Sequence, residues 1–193
     1  MKKMRENILS IFLTSVFMIP TAFSSESAVA EEGGAISYNI GYMSEYWYRG
    51  VHQSDSAVSF GADYEVGGFY LGTWWADVDT GLEHDYYGGY AFSAMGMDMY
   101  AGFTGYYYTD NFDSDYEEFN FGVAMGPIAI DFADGNYDGS SVTDTGYTFT
   151  SVALDLAMVG LPMTLTAGYW GGDSSLKGNV YTLDYGTTVS GVD

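Results

Sequence analysis

Apolar and polar side chains alternate with a period of two along most of this chain. In 58–66, Val58, Phe60, Ala62, Tyr64 and Val66 interleave with Ser59, Gly61, Asp63 and Glu65. In 97–107, Met97, Met99, Ala101, Phe103 and Tyr107 interleave with Asp98, Tyr100, Gly102, Thr104 and Tyr106. The same rhythm runs through 147–158 and 163–170. It gives a strand one apolar face and one polar or small face. Helix signals are sparse: opposite-charge i,i+4 pairs are few, and Gly and β-branched residues abound. The pattern predicts ten strands, at about 35–48, 57–66, 68–77, 84–93, 97–108, 116–125, 127–134, 146–158, 163–171 and 179–190.

The connections between these strands fall into two kinds. Val66-Gly67-Gly68, Ser93-Ala94-Met95-Gly96, Met125-Gly126-Pro127 and Val159-Gly160-Leu161-Pro162 are tight and uncharged. The others (RGVHQSDS, DVDTGLEHD, TDNFDSDYEE, DGNYDGSSVTDTG and GGDSSLKG) are longer and polar, most of them acidic. Short and long alternate throughout. That is the pattern of an up-and-down antiparallel transmembrane β-barrel, with short turns on the periplasmic side and long loops outside. Hydrocarbon offers no hydrogen-bond partner, so such a sheet has to close on itself. The competing architecture is a secreted soluble barrel or sandwich whose apolar face is its core. In the barrel reading, inward Gly61, Gly72, Gly102 and Gly168 leave room in a narrow lumen. Aromatics near strand ends (Tyr46, Trp47, Tyr48, Tyr86, Tyr87, Tyr106, Tyr107, Tyr108 and Trp170) are expected at the lipid headgroups.

Composition sharpens this picture. The 193 residues carry 26 Asp and Glu against 5 Lys and Arg, a formal charge of -21. Lys2, Lys3 and Arg5 lie at the extreme N-terminus, which leaves Arg49 and Lys177 for the rest. No basic patch exists to neutralise phosphates, so nucleic acid is excluded as a partner. The absence of Cys removes disulfides, thiolate metal sites and Cys nucleophiles together. Aromatics reach 18%, with 19 Tyr, which sets the chain apart from an acidic disordered one.

The N-terminus reads as an export signal. A short basic stretch precedes the apolar run Ile8 to Phe23, and Ala28-Val29-Ala30 forms an A-x-A cleavage site before Glu31. Residues 1–30 are therefore expected to be a signal peptide cleaved near Ala30, and 31–193 the barrel domain. This destination is the outer membrane of a Gram-negative bacterium. The expected partners are outer-membrane lipid, the barrel assembly machinery during biogenesis, and small solutes if the barrel is a pore.

Several blocks resemble a known family. Ser44-Glu45-Tyr46-Trp47-Tyr48-Arg49-Gly50-Val51-His52-Gln53-Ser54 is similar to the S-x-Y-x-x-R-G-x-x-Q-S pattern of the proteobacterial Gcw_chp family, also called TorF-family candidate porins. Gly68-Phe69-Tyr70-Leu71-Gly72-Thr73-Trp74-Trp75-Ala76-Asp77-Val78-Asp79 resembles its G-x-Y-x-G-x-W-x-S-N-V-D block, with Ala76-Asp77 in place of Ser-Asn. Glu83-His84-Asp85-Tyr86-Tyr87-Gly88-Gly89-Tyr90 is similar to its E-x-D-x-x-x-G-Y strand, and Tyr116 to Phe119 with Met125 to Pro127 resembles a later hairpin. The resemblance implies an outer-membrane barrel and a porin role, with no established substrate. Family members run somewhat longer than this chain, which stops at Ser190-Gly191-Val192-Asp193. The expectation is a C-terminally truncated sequence with twelve strands in a complete relative, or else a genuine ten-stranded barrel.

Candidate chemistry is limited. Arg49 is expected to pair with inward carboxylates such as Asp63, Asp77 or Glu83, either narrowing a lumen or fixing the register of the sheet. The carboxylates Asp77, Asp79, Glu83, Asp110, Asp113 and Asp115 cluster in outer loops and are weak candidates for Ca²⁺ or Mg²⁺, hard cations that take oxygen ligands. Solvated acidic loops, which also gather cations at a pore mouth, are the competing reading. No catalytic constellation and no cofactor is expected. His84 and Asp85 are adjacent on a strand and so point to opposite faces. The expected function is a channel for small cationic or neutral solutes; the alternative is a non-conducting structural or adhesive surface barrel.

Overall fold

The computed structural model describes residues 10–12, 34–138, 145–173 and 176–186. The expected cleavage site at Ala30, most of the long connection at 138–146 and the chain end after 186 lie outside the described residues. The strands are β1 (Ser10–Phe12), β2 (Ala35–Met43), β3 (Tyr46–Tyr48), β4 (Val51–Ser54), β5 (Ala57–Val66), β6 (Phe69–Asp77), β7 (Leu82–Ala94), β8 (Met97–Tyr108), β9 (Tyr116–Met125), β10 (Ile128–Tyr137), β11 (Thr145–Asp155), β12 (Met163–Gly172) and β13 (Gly178–Tyr185). One 3-10 turn, Leu156–Val159, sits between β11 and β12.

From β5 to β13 every strand pairs antiparallel with the next, and β2 pairs with β5. This is the expected up-and-down meander of ten long strands. The short β1 runs parallel to β13, with Ser10 opposite Thr182. Among the described residues the sheet does not close, since β2 and β1 form its two edges. The architecture is thus an all-β antiparallel sheet.

Turn chemistry sets the alternation of connections. Gly67 and Gly68 have φ of 57° and 87°, the left-handed pair that a two-residue I′ hairpin demands. Met95-Gly96 adopts the same pair at the cost of a non-glycine left-handed residue. The expected alternation of short and long is not strict: 78–81 at the loop end is only four residues, whereas the connection expected to be tight at Val159 to Pro162 runs over 156–162, seven residues, because β11 ends early.

Period two holds through the strands. On the outer face, cross-strand neighbours include Phe60 with Trp75, Phe121 with Phe132 and Val152 with Ala167. Phe69, Leu71, Phe92, Phe121, Ile130, Val152, Leu165 and Tyr181 are all exposed there. The inner face is polar, aromatic and small. Here the structure changes one expectation. The inward glycines do not leave open space: Tyr87 lies over Gly72, Tyr70 over Gly89 and Gly102, Tyr100 over Gly122, Tyr147 over Gly135 and Phe149 over Gly168. Each of these missing Cβ atoms makes room for a ring from another strand, and Gly61 makes room for the Asn39 side chain.

The first predicted strand, 35–48, is broken. β2 ends at Met43, and 46–54 forms a separate two-stranded hairpin, β3 with β4. Its tip is Arg49-Gly50, with φ of 46° and 78°. Likewise the strand expected to run to 158 stops at Asp155, whose carboxylate caps the 3-10 turn by accepting from the Ala157 amide.

Candidate functional site

The hairpin turns inward and lies across the concave face of the sheet. At its base Tyr46 packs edge-on against Trp74 of β6, 5.6 Å between ring centroids. At its tip Gly50 faces Val180 of β13. One short hairpin touches strands from β6 to β13, so the sheet curls around it.

Arg49 is the centre of this contact. Its guanidinium makes a bidentate pair with Glu118 of β9, Nη1 to Oε2 at 2.8 Å and Nη2 to Oε1 at 2.9 Å. The Glu118 side chain is fully buried and that of Arg49 is 14% exposed. The guanidinium carbon also stands 4.7 Å from the Phe149 ring, 4.9 Å from Tyr48 and 5.7 Å from Trp170. The Trp170 indole donates to the Arg49 carbonyl at 2.8 Å. Burial by itself would lower the Arg49 pKa; Glu118 and the phenols of Tyr48 and Tyr106 outweigh it, and the pKa is raised. The guanidinium therefore stays charged. Planar fork geometry and aromatic stacking are what Arg supplies and Lys does not.

Glu118 collects further donors: Tyr106 at 2.8 Å, Asn120 at 2.7 Å and Tyr147 at 2.9 Å. Tyr106 gives its proton to Glu118, so the 2.6 Å contact between Tyr48 and Tyr106 is donated by Tyr48. The chain Tyr48–Tyr106–Glu118–Arg49 ties the hairpin to β8 and β9 through groups that are largely buried.

The Arg49 partner differs from those expected. Asp63 faces the concave side but accepts from Tyr87. Glu83 is buried there and accepts from Tyr108 at 3.3 Å. Asp77 ends β6 as an exposed residue on the opposite face. Glu118 is not among the partners that the sequence suggests for Arg49; it reads there as part of the acidic cluster of Asp110, Asp113, Asp115, Glu117 and Glu118. The signal for it was present: Phe119 is apolar and outward, which turns Glu118 inward and Glu117 outward. What the sequence does not show is which inward carboxylate meets a hairpin starting some seventy positions earlier.

The loop carboxylates do not converge. Asp113 accepts from Tyr116 and Tyr137, each at 3.0 Å, and from the Ser114 amide at 2.8 Å. Asp79, Asp110 and Asp115 are exposed, and Glu83 faces the interior. Among the described residues, no group of three His, Asp or Glu is gathered so as to hold a metal ion.

The aromatics expected at headgroups divide by parity. Tyr48, Tyr87, Tyr106, Tyr108 and Trp170 face the concave side with Tyr46, while Tyr86 and Tyr107 face outward. His84 also faces outward, stacked on Trp75 at 4.6 Å, opposite in sense to Asp85.

With the geometry described, the comparison with known proteins has a place. Residues 27–190 match the family Gcw_chp, described as a bacterial protein of unknown function. The chain belongs to this family. No curated protein and no solved structure matches it. The S-x-Y-x-x-R-G-x-x-Q-S block thereby gains a structural meaning: in this Gcw_chp chain it is the inserted hairpin, with its Tyr, Arg and Gly at the packed positions.

Proposed function

We propose that this Gcw_chp protein is an outer-membrane β-barrel that admits small cationic or neutral solutes, with the 46–54 hairpin closing its loop-end mouth. The observation that carries the reading is the pairing of two opposite faces. An exposed band of Phe, Leu, Ile, Val and Met covers the outside, and an acidic, hydroxyl-bearing face lies inside. In water such a band is a large liability; in lipid it is the lowest-energy surface. Closure of β2 against the far edge of the sheet completes the barrel, which then satisfies the edge backbone groups. Export through residues 1–30 and insertion by the barrel assembly machinery follow from this reading.

The interior also shapes the solute class. Toward the tight turns, the concave face presents Asp63, Asp98, Asp131 and Asp184 among Tyr70, Tyr87, Tyr100 and small residues. Toward the loops it is filled by the hairpin and its rings. Negative walls repel anions and gather cations. One observation favours a second reading, a non-conducting structural or adhesive barrel: the loop-end half is packed.

Planar-bilayer recording of the purified protein separates the two. We expect sparse cation-selective steps from the native chain. Replacing 46–54 by a short Gly-Ser linker should raise the mean conductance several-fold. Silence from both chains would leave the non-conducting reading in its place. Membrane residence has its own test. Phe121→Arg puts a cation mid-strand on the outer face and should destabilise the protein in liposomes by about 2–4 kcal/mol. Unfolding in urea at the native midpoint would argue against lipid contact.

A further inference from the structure

We propose that Glu83 and Asp85 form a binding site for a single monovalent cation, an alkali ion or a small protonated primary amine. The two residues occupy alternate positions on β7, so both side chains point to the concave face, from Cα atoms roughly 6.6 Å apart. Both are buried, at 0% and 2% exposure. Glu83 Oε1 accepts from the Tyr108 hydroxyl at 3.3 Å and the Tyr46 hydroxyl also acts on this carboxylate, while Glu83 Oε2 and Asp85 Oδ1, equally buried, lack a well-formed hydrogen bond. Unpaired buried carboxylates are among the most unfavourable groups a fold can hold, and they are stable when a counter-charge sits with them.

Among the described residues, neither Arg49 nor Lys177 fills this role. Arg49 is committed to Glu118 through both of its terminal nitrogens. Lys177 stands exposed beyond β12. Two further carboxylates act on the pair: Asp113 lies close enough to influence Glu83, and Glu118 to influence Asp85. The charge of Glu118 is balanced by Arg49, while Asp113 adds negative potential at the pair. The other groups packed around it, Tyr46, Tyr48, Tyr106, Tyr108 and Trp74, are uncharged. Their phenolic oxygens and ring faces suit a cation.

The charge of the occupant follows from the ligand set. Ca²⁺ takes six to eight oxygens, and Mg²⁺ keeps several waters beside one or two carboxylates. Here two carboxylates stand side by side on one strand among phenols, and no third acid joins them in a metal-holding group among the described residues. A buried pair with so few ligands favours a cation that sheds its water readily, which a monovalent ion does and Mg²⁺ does not. Met43, Trp74 and Ala76 pack over this end of the concavity and keep water out, which strengthens the attraction. The site stands whether or not the barrel conducts.

The experiment is thermal unfolding of the purified full chain in a zwitterionic detergent, followed by circular dichroism. Ionic strength is held constant with N-methyl-D-glucamine chloride, whose cation is too bulky to enter. Exchange of that salt for KCl, NaCl or methylammonium chloride, from about 10 to 300 mM, should raise the midpoint by roughly 3–5 °C. The better of the alkali and methylammonium series identifies the occupant. Glu83→Gln with Asp85→Asn should abolish the dependence, and Asp98→Asn, at the far end of β8, should keep it. A native midpoint indifferent to the cation but sensitive to pH would mean the pair shares a proton and would overturn the proposal. Cation dependence surviving in the double variant would overturn it as well.

Discussion

Tyr100 and Tyr106 stand on the same strand and face, six positions apart, and meet different surroundings. Tyr106 is buried and donates to Glu118, which also holds Arg49, Asn120 and Tyr147. Tyr100 is half-buried and donates to Asp131 at 2.8 Å. The strands are continuous through both levels, so the sheet itself does not create the difference. The hairpin does. Where it inserts, phenols and carboxylates become one connected network. Where it does not reach, similar side chains stay half-solvated. The lesson is that this concave face has two regimes, a packed one toward the loops and an open one toward the tight turns.

Substitutions at matched positions break or sharpen that comparison. The largest effect is expected at Glu118. Glu118→Ala strands the Arg49 guanidinium and three further donors, and should lower unfolding stability by about 3–5 kcal/mol. The same substitution at Asp131 should cost far less; equal losses by urea titration would end the two-regime picture. Glycines come next. An added methyl at Gly135 meets the Tyr147 ring, which Glu118 holds in place, so Gly135→Ala should cost about 1–3 kcal/mol. At Gly102 the added methyl meets the hydroxyl end of the half-buried Tyr70 and the Gly88 carbonyl oxygen; Tyr70 has no anchor like Glu118, and the loss should be smaller. A reversed order would show that the rings are equally rigid in both halves. The smallest effect is Tyr100→Phe, which removes one half-exposed hydrogen bond for about 0.5–1.5 kcal/mol, measured by the same titration.

Much of the fold is legible from period two alone. Val58 to Val66 and Met97 to Tyr107 announce both strand and facing, because one face is uniformly apolar. The alternation of tight and long connections carries the meander order. Two features escaped that reading. The run Tyr46-Trp47-Tyr48 continues the aromatic character of β2, so it reads as more of the same strand, yet Arg49-Gly50 takes the left-handed pair of a tight hairpin. Arg49-Gly50, between Tyr48 and Val51, is a weaker hairpin signal than Gly67-Gly68, because Arg at the first turn position is not among the residues that favour the left-handed pair. The second miss is the Arg49 partner. Parity places Asp63, Glu83, Asp85 and Glu118 all on one face; choosing among them requires the curl of the sheet, which no local pattern encodes.

The separation along the chain between Arg49 and its anchors has a kinetic meaning. The indole that grips its carbonyl lies 121 residues further on, and the carboxylate that pairs it lies 69 further on. Loop closure over such spans is slow, and the tip can find neither anchor before β9 and β12 have joined the sheet. Seating of the tip is therefore among the last events of folding, and it reports that the late strands have arrived in register. An assembly intermediate halted before β12 would keep this arginine wet and accessible, a state that a guanidinium-directed label would detect.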